Sequence, residues 1–474
     1  MSSSVLIALL LLVVANPLRS FNIYGKTSKV HRLKPTRDSA DTLILQFSDI
    51  HYDPVYKNYC NTTSDYGEYD CDSPLALFDQ ALKSAKIVTS EIEGKTSPLI
   101  ILSGGYAPHR NNYKIEELTQ WITEIFSHVK NIFPNSTILP VIGQSDQALA
   151  SHPSNAITIY ENLYKAWQMC IDNSTRTSFL KGGYYLYEMS RTMSILGLNT
   201  GIYTTESLTQ QQDDPFEQFQ FITDSLESAQ KNGKSVHIIG HVPPGFYGKL
   251  MLLKYETKLL EIIRKYKSVI KTMIFGHLHA DTFQIVDANS QIIWIGPSLA
   301  PRDNYLRTGK NSPAFRLFSY QNEQDLLDIE TFWGNITKLA IYEEYSYFDK
   351  EYSVKREYDL GLFENNLQWK SYLDALNAES LRNTTVRMMY DEELFMHYIS
   401  HTCPACAIAT YDGGRRTQQI CRLLHVDQES HKQCLESVIE PQRGLKITLS
   451  KKFEAKIRKL RNVRSRQINN KQQK

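Results

Sequence analysis

The sequence predicts an α/β fold in which two β-sheets pack as a sandwich flanked by helices. From Leu43 onward, short apolar runs alternate with segments whose apolar residues recur every three or four positions, the signature of buried strands alternating with amphipathic helices. After residue 279 strands follow one another almost without helices. The chemically capable residues come just after apolar runs, and an α/β sheet gathers its ligands at the C-terminal ends of its strands.

The elements follow in order. Residues 43–47 read as a strand delivering Asp49 and His51. Leu75, Phe78, Leu82, Ala85 and Val88 recur at helical spacing behind Ser73-Pro74, a helix start. Residues 99–102 form a strand running into Gly105, Leu118, Ile122, Ile125 and Val129 mark a second helix, and 138–142 is the strand feeding Gln144. A hairpin is predicted over 184–188 and 193–198, a helix over 216–229, and strands over 236–239 and 272–275 before His241 and His277. Strands over 282–286, 292–295, 315–320 and 327–332 complete the series. Beyond Tyr342 to about residue 448, helical patterns around Leu373 and Met388 predict a helical region holding four of the cysteines.

Gly276-His277-Leu278-His279 is the stretch on which function turns. Where a strand tip bends into a loop, alternate side chains can serve two adjacent metal ions, and neutral imidazole is the commonest protein ligand for zinc and similar ions. A His-x-His by itself is weak, because such pairs are often structural. Its company strengthens it: Asp49-Ile50-His51 and Gly240-His241 also follow apolar runs.

This series, Asp-x-His early, Gly-His in the middle and Gly-His-x-His last, resembles the calcineurin-like metallophosphoesterases. Phe47-Ser48-Asp49-Ile50-His51-Tyr52-Asp53-Pro54, Ala107-Pro108-His109-Arg110, His241-Val242-Pro243-Pro244-Gly245 and Gly276-His277-Leu278-His279-Ala280-Asp281 narrow the likeness to the acid sphingomyelinase-like phosphodiesterases. It spans about residues 43 to 333 and, more loosely, the cysteine-bearing C-terminal part. The resemblance implies a four-layer sandwich over 41–345 and a helical C-terminal region over 346–448. It also implies a two-metal phosphodiester site, with Asp49, His51 and His279 on the first ion and His241 and His277 on the second. The stretch ahead of Asp49 is too short for the saposin-type domain of acid sphingomyelinase. The closer likeness is therefore to relatives that lack that domain, which implies phosphodiester, nucleotide or phospholipid-headgroup ligands.

Two motifs of the family are altered. Where the family ends its second motif in Gly-Asp, whose carboxylate bridges both metals, this chain reads Ser103-Gly104-Gly105; where the third is Gly-Asn-His, it reads Gly143-Gln144-Ser145-Asp146. The expected cofactor is then one zinc ion on three protein ligands, with a second only if the longer amide of Gln144 reaches it. Ser145 cannot titrate as an imidazolium does, and His109 is either a substitute acid or a structural histidine beside the cleft. Asp146 and Asp281 are expected to orient ligands. The expected function is a metallophosphoesterase-fold protein with lost or strongly reduced phosphodiesterase activity. The alternatives are an active metal-dependent phosphodiesterase on sphingomyelin-type phosphodiesters or nucleotides, and an interaction protein.

Residues 1–20 carry an apolar run over 5–15, short of the roughly 20 residues that span a bilayer, and read as a signal peptide. No second run of spanning length is found, which predicts a chain without a transmembrane segment, secreted or lysosomal. Asn61, Asn135, Asn173, Asn335 and Asn383 head glycan-acceptor patterns. Six of the seven cysteines fall into close pairs, Cys60 with Cys71, Cys403 with Cys406 and Cys421 with Cys434, leaving Cys170 over. Disulfide-closed short loops are the natural reading of that pattern, although spacing does not dictate connectivity, and Cys403-Pro404-Ala405-Cys406 also suits a redox or zinc pair.

A hydrophobic share of 42% suits a folded globule, and the net charge of +2 hides an asymmetry. Residues 451–474 hold ten Lys or Arg against one Glu, so the rest is net acidic and offers no nucleic-acid footprint. Phe453, Ile457, Leu460 and Val463 space this tail, 449–474, either as a basic amphipathic helix for anionic membranes or glycans or as a solvated terminus.

Overall fold

The computed structural model describes residues 40–439 apart from 91–96, 111, 148–152, 172, 206, 208, 210, 287–290, 303–310, 343–346, 359–375, 377 and 403–412. The expected signal segment, the Cys403–Cys406 pair and the basic tail lie outside the described residues. The described residues all belong to one compact unit.

Two six-stranded mixed sheets form the frame. The first has the order β12-β11-β10-β1-β2-β3, from β1 (Thr42–Phe47), β2 (Leu99–Leu102), β3 (Ile138–Pro140), β10 (Ala314–Gln321), β11 (Asp325–Trp333) and β12 (Asp349–Ser353). The second has the order β4-β5-β6-β7-β9-β8, from β4 (Tyr185–Glu188), β5 (Met193–Gly197), β6 (Ser235–Ile239), β7 (Ile270–Phe275), β8 (Thr282–Ile285) and β9 (Ile292–Ile295). β1, β2 and β3 are parallel, as are β5, β6, β7 and β9.

Alternation of side chains builds the sandwich. On β6, β7 and β9, Ile239, Ile274 and Trp294 join the core shared with the first sheet. Their neighbours Ile238, Met273 and Ile293 join a second core. Since successive side chains of a strand point to opposite faces, every one of these strands is covered on both sides, which is why it reads as an unbroken apolar run. The second core is closed by helices over Gln218–Lys231 and Leu253–Lys265, through Phe219, Ile222 and Leu226 and through Tyr255, Leu259 and Ile263. The helices Leu75–Ser90 and Ile115–Ile132 pack Phe78, Leu82, Ile122 and Ile125 into the core of the first sheet.

The helix expected from residue 216 begins at Gln218 instead. Phe216 and Glu217 take left-handed backbone angles, and Asp214 accepts hydrogen bonds from the backbone N–H groups of Phe219 (2.7 Å) and Gln220 (3.0 Å), capping the helix two residues later. Helices over Pro153–Trp167 and Leu253–Lys265 join those read from the spacing. The chain past residue 346 first adds β12 to the first sheet and then turns helical, in Ala378–Arg387, Glu392–Thr402, Gly413–Leu424 and Gln428–Ile439.

Disulfides join Cys60 to Cys71 and Cys421 to Cys434, and the Cys170 thiol is free, with burial pushing its pKa up to about 12. Asn61, Asn135, Asn173 and Asn383 are exposed; Asn335 is half-buried, and its side chain accepts from Lys338 N–H to cap the helix Ile336–Tyr342. No helix among the described residues is long and apolar enough to cross a membrane.

An ion-pair clamp ties the C-terminal helices to the sheet. His401, on Glu392–Thr402, stands 3.0 Å from Glu351 of β12 and 3.1 Å from Glu357, and its ring stacks on Tyr352 at 4.0 Å. Burial opposes its protonation, but the two glutamates prevail and raise its pKa to about 9. A pKa raised on folding adds stability that is complete below the unfolded value of about 6.5 and lost as pH climbs through the folded value. Thermal unfolding of His401→Gln is therefore expected to fall furthest below the parent near pH 6, by on the order of 2–4 kcal/mol, with the gap closing by pH 9.

Candidate metal centre

Four loops at the C-terminal ends of strands meet where the two sheets abut. β1 delivers Asp49 and His51, β2 delivers Gly104 and Gly105, β6 delivers His241, and β7 delivers His277 and His279. Backbone hydrogen bonds lock the first two loops together: Asp49 N–H donates to Gly104 O (3.0 Å) and His51 N–H to Gly105 O (2.8 Å). The sheets are sewn across by Gln46, whose amide donates to Phe275 O at 2.8 Å, and by His277 N–H, which donates to Asp49 Oδ2 at 2.9 Å.

The candidate ligands read from the sequence converge. Asp49, His51, His241, His277 and His279 are all at most 5% exposed. Asp49 Oδ1 lies 3.6 Å from His51 Nε2, 3.5 Å from His279 Nε2 and 3.8 Å from His241 Nε2, and the Nε2 atoms of His51 and His279 are 3.0 Å apart. Tetrahedral ligands about 2.0–2.2 Å from a zinc ion stand roughly 3.3–3.5 Å from one another, so Asp49, His51 and His279 outline one face of such a site. His51 Nδ1 is 2.7 Å from Ala107 O and His241 Nδ1 is 2.8 Å from Ser103 O. A carbonyl only accepts, so Nδ1 carries a proton in both rings, and Nε2 is left as the ring atom that would meet a cation.

Asp49 Oδ1 is buried without a hydrogen-bond donor among the described residues, while Oδ2 accepts from Ser48 Oγ at 2.5 Å and from His277 N–H. A buried carboxylate oxygen facing only imidazole nitrogens is the mark of a place for a cation. Burial alone would raise the Asp49 pKa, yet the facing His279 and His241 hold it well below the carboxylate range. Burial drives His277 far below the ordinary imidazole value, with His241 adding to it, and lowers His279 as well; at His51 the contacts with Asp49 outweigh burial and raise it. The cleft thus favours one positive charge beside Asp49 over several charged rings.

The loops carrying the candidate ligands are strained. Asp49, His51, His277 and His279 all have left-handed backbone angles, φ 51°, 43°, 72° and 53°. Such angles cost of order 1–3 kcal/mol each in non-glycine residues and cluster where function demands them.

The two altered motifs lie in the same place. Gly104 and Gly105 are left-handed, φ 85° and 76°, and a Cβ at Gly105 would sit 2.8 Å from Asp49 Oδ1 and 2.9 Å from its Cα. The turn holds no carboxylate, and as folded it has no room for a side chain. Gln144 and Ser145 are half-buried, at the start of a single 3₁₀ turn over Ser145–Gln147.

Asp146 is spent on the backbone: Oδ2 accepts from Gly143 N–H (2.7 Å) and Gly105 N–H (3.0 Å), Oδ1 from Tyr106 N–H (2.7 Å) and Ala107 N–H (2.8 Å). Asp281 pairs with Arg316 of β10 and accepts from Thr331 and Tyr352 at 2.7 Å each, joining the sheets. His109 faces the cleft, its ring 4.0 Å from that of His51 and 5.7 Å from that of His279. Burial and the charge on His51 push its pKa down to about 4.

Two supporting residues were not read from the sequence. Asp72 accepts from His109 Nδ1 at 2.6 Å and from its backbone N–H at 2.8 Å; Thr200 Oγ1 accepts from Val242 N–H at 2.8 Å and His241 N–H at 3.2 Å. Thr200 follows a strand end as the candidate ligands do, which was a readable signal. Asp72 had only its place beside Cys71.

Comparison with known proteins adds the following. Residues 287–440 match the family described as the acid sphingomyelin phosphodiesterase C-terminal region. The chain is 27% identical over 422 residues to acid sphingomyelinase-like phosphodiesterase 3b of Homo sapiens, covering 82% of this chain and 89% of that protein. It is 27% identical to cyclic GMP-AMP phosphodiesterase SMPDL3A of Rattus norvegicus over 421 residues, 82% of this chain and 90% of that one. Sphingomyelinase phosphodiesterase C of Dictyostelium discoideum is 26% identical over 432 residues, 82% and 87% respectively. Among solved structures, a dimetal phosphatase from Danio rerio aligns with a TM-score of 0.42 at 11% identity, covering 62% of this chain and 96% of that one.

Gly105→Ala and Gly105→Asp are both expected to lower the unfolding free energy by about 1–3 kcal/mol, since each puts a Cβ on a left-handed residue against Asp49. Thermal or urea unfolding beside the parent chain checks this; an unchanged midpoint contradicts the fit described for this turn.

Proposed function

Taking as premise that this chain is related over 82% of its length to the acid sphingomyelinase-like phosphodiesterases, we propose that it is an exported metallophosphoesterase-fold protein holding one zinc ion and retaining little or no phosphodiesterase activity. Asp49, His51 and His279 would hold the ion, and the residue that carries this reading is Gly105. The turn after β2 offers no carboxylate to share between two ions, and a Cβ there meets Asp49 at 2.8 Å. His241 and His277 then face a second position with no carboxylate from that turn, and Gln144 is the remaining candidate ligand for it.

A bound ion would supply Lewis-acid polarisation of a phosphoryl oxygen and acidify a bound water toward neutral pH. The protein would contribute orientation: Ala107 O and Ser103 O fix the His51 and His241 rings, and Asp49 balances charge. What it lacks is a proton donor for the leaving group at Ser145, a loss worth about 10²- to 10⁴-fold. His109, neutral around pH 7 with its pKa near about 4, would be a poor donor there. The phosphodiester, nucleotide or phospholipid headgroup remains the ligand class, held with weak or no turnover. Export, to the cell exterior or the lysosome, is supported by the apolar run over 5–15, the five glycan-acceptor patterns and the two disulfides. The basic tail would add contact with anionic membrane or glycan.

A second reading, an active phosphodiesterase, is favoured by the intact set Asp49, His51 and His279 and by the activity in the relatives' names. Metal analysis of the glycosylated protein, with hydrolysis of bis(4-nitrophenyl) phosphate at pH 5 and pH 7, separates the two. About one zinc per chain, with turnover at least about 10²-fold below that of an intact relative assayed alongside, is the expected result. Two ions per chain and turnover equal to that relative overturn it.

A further inference from the structure

Where the turn after β2 has lost its carboxylate, another ligand-capable side chain stands four residues on. The ligand nitrogens of His51, His109 and His279 all lie within 4.8 Å of one another. The His109 ring is 4.0 Å from that of His51, which is 4.9 Å from that of His279. We propose that His109 is itself a metal ligand in this chain, completing with Asp49, His51 and His279 a four-residue site for a single zinc-class divalent cation. This deepens the function proposed above and rests on it.

Three observations carry the assignment beyond proximity. First, the ring is held from behind. Asp72 accepts hydrogen bonds from His109 Nδ1–H at 2.6 Å and from its backbone N–H at 2.8 Å, leaving the other ring nitrogen with its lone pair. A carboxylate behind a histidine is the arrangement that fixes tautomer and ring direction in metal sites and strengthens the imidazole as a donor. Second, Asp72 is itself fixed: it is 7% exposed, and the adjoining Cys71 is tied to Cys60. Third, the His109 side chain is 26% exposed whereas those of His51 and His279 are at most 4% exposed, so His109 stands on the open side of the cleft. A ligand there closes the position that catalytic zinc sites leave to water, and four protein ligands are the pattern of structural zinc sites. Weak or absent turnover would then follow from a filled coordination sphere as well as from the missing bridge.

The test is zinc and cobalt binding by the full-length, chelator-stripped protein, with zinc affinity read by competition against a chromophoric chelator and cobalt coordination read from its visible spectrum. His109→Ala is expected to weaken zinc binding at least about tenfold and to change the cobalt bands, and Asp72→Asn to weaken it about ten- to a hundredfold. Both variants give up the hydrogen bond between His109 and Asp72 and are expected to unfold below the parent, so affinity is read at a temperature where each metal-free chain is folded; if His109→Ala does not fold, His109→Gln and Asp72→Asn carry the same comparison. Unchanged affinity and bands in the His109 variants overturn the inference, including the case where only phosphate binding weakens, which would make His109 a substrate contact. His51→Ala separates the two readings. If it abolishes zinc binding while the His109 variants do not, only this inference falls; if the parent chain binds no ion, the function proposed above falls with it.

Discussion

The carboxylate of Asp49 is the constraint on which the rest of the structure depends. One oxygen accepts the N–H of His277 from the second sheet and the hydroxyl of Ser48 from the first; the other faces the imidazoles of His51, His241 and His279. The same residue donates its N–H to Gly104 O and accepts from Ala300 N–H and Ser298 Oγ. Four chain segments distant in sequence are thereby brought to one point, and a charge is buried that only another charge can balance. Because an uncompensated buried carboxylate costs several kcal/mol, the surroundings are shaped to supply a proton or a cation.

Stability is given up to make that point. Four candidate ligands hold left-handed angles, and the rings of His277 and His279 are kept from protonation by burial. What restrains the strain is the rigid sandwich beneath, where β1, β6 and β7 are covered on both faces and cannot rotate their ends apart. Asp146 does for the glycine turn what β-strands do elsewhere, satisfying four N–H groups that would otherwise be buried without partners. The turn therefore keeps its shape although it carries no carboxylate of its own.

The three supporting carboxylates show how far a sequence can be read. Asp146 and Asp281 look alike in sequence, each just past a motif. In the folded chain Asp146 organises the backbone of the Gly105 turn, while Asp281 binds Arg316, Thr331 and Tyr352 across the sheets. Asp72, with no motif beside it, is the one that meets a cleft histidine. Side-chain partners so distant along the chain leave no local spacing to read. The start of the helix at Gln218 was hidden for the opposite reason: a capping aspartate and two left-handed residues act within a few positions and override the apolar pattern.

The strand ends, their order and the residue types that follow them were determined by the sequence itself, because apolar periodicity dictates which segments are buried, and a buried strand must stop where polar residues resume. Asp49, His51, His241, His277 and His279 were legible for that reason, as was the absence of a carboxylate at residue 105. Only the tertiary structure decided that Gly105 wedges against Asp49, that His109 stands over His51 with Asp72 behind it, and that β12 joins the first sheet before the C-terminal helices begin. These depend on distances between segments that meet only when two sheets close on each other, and no periodicity within one segment encodes where another will lie.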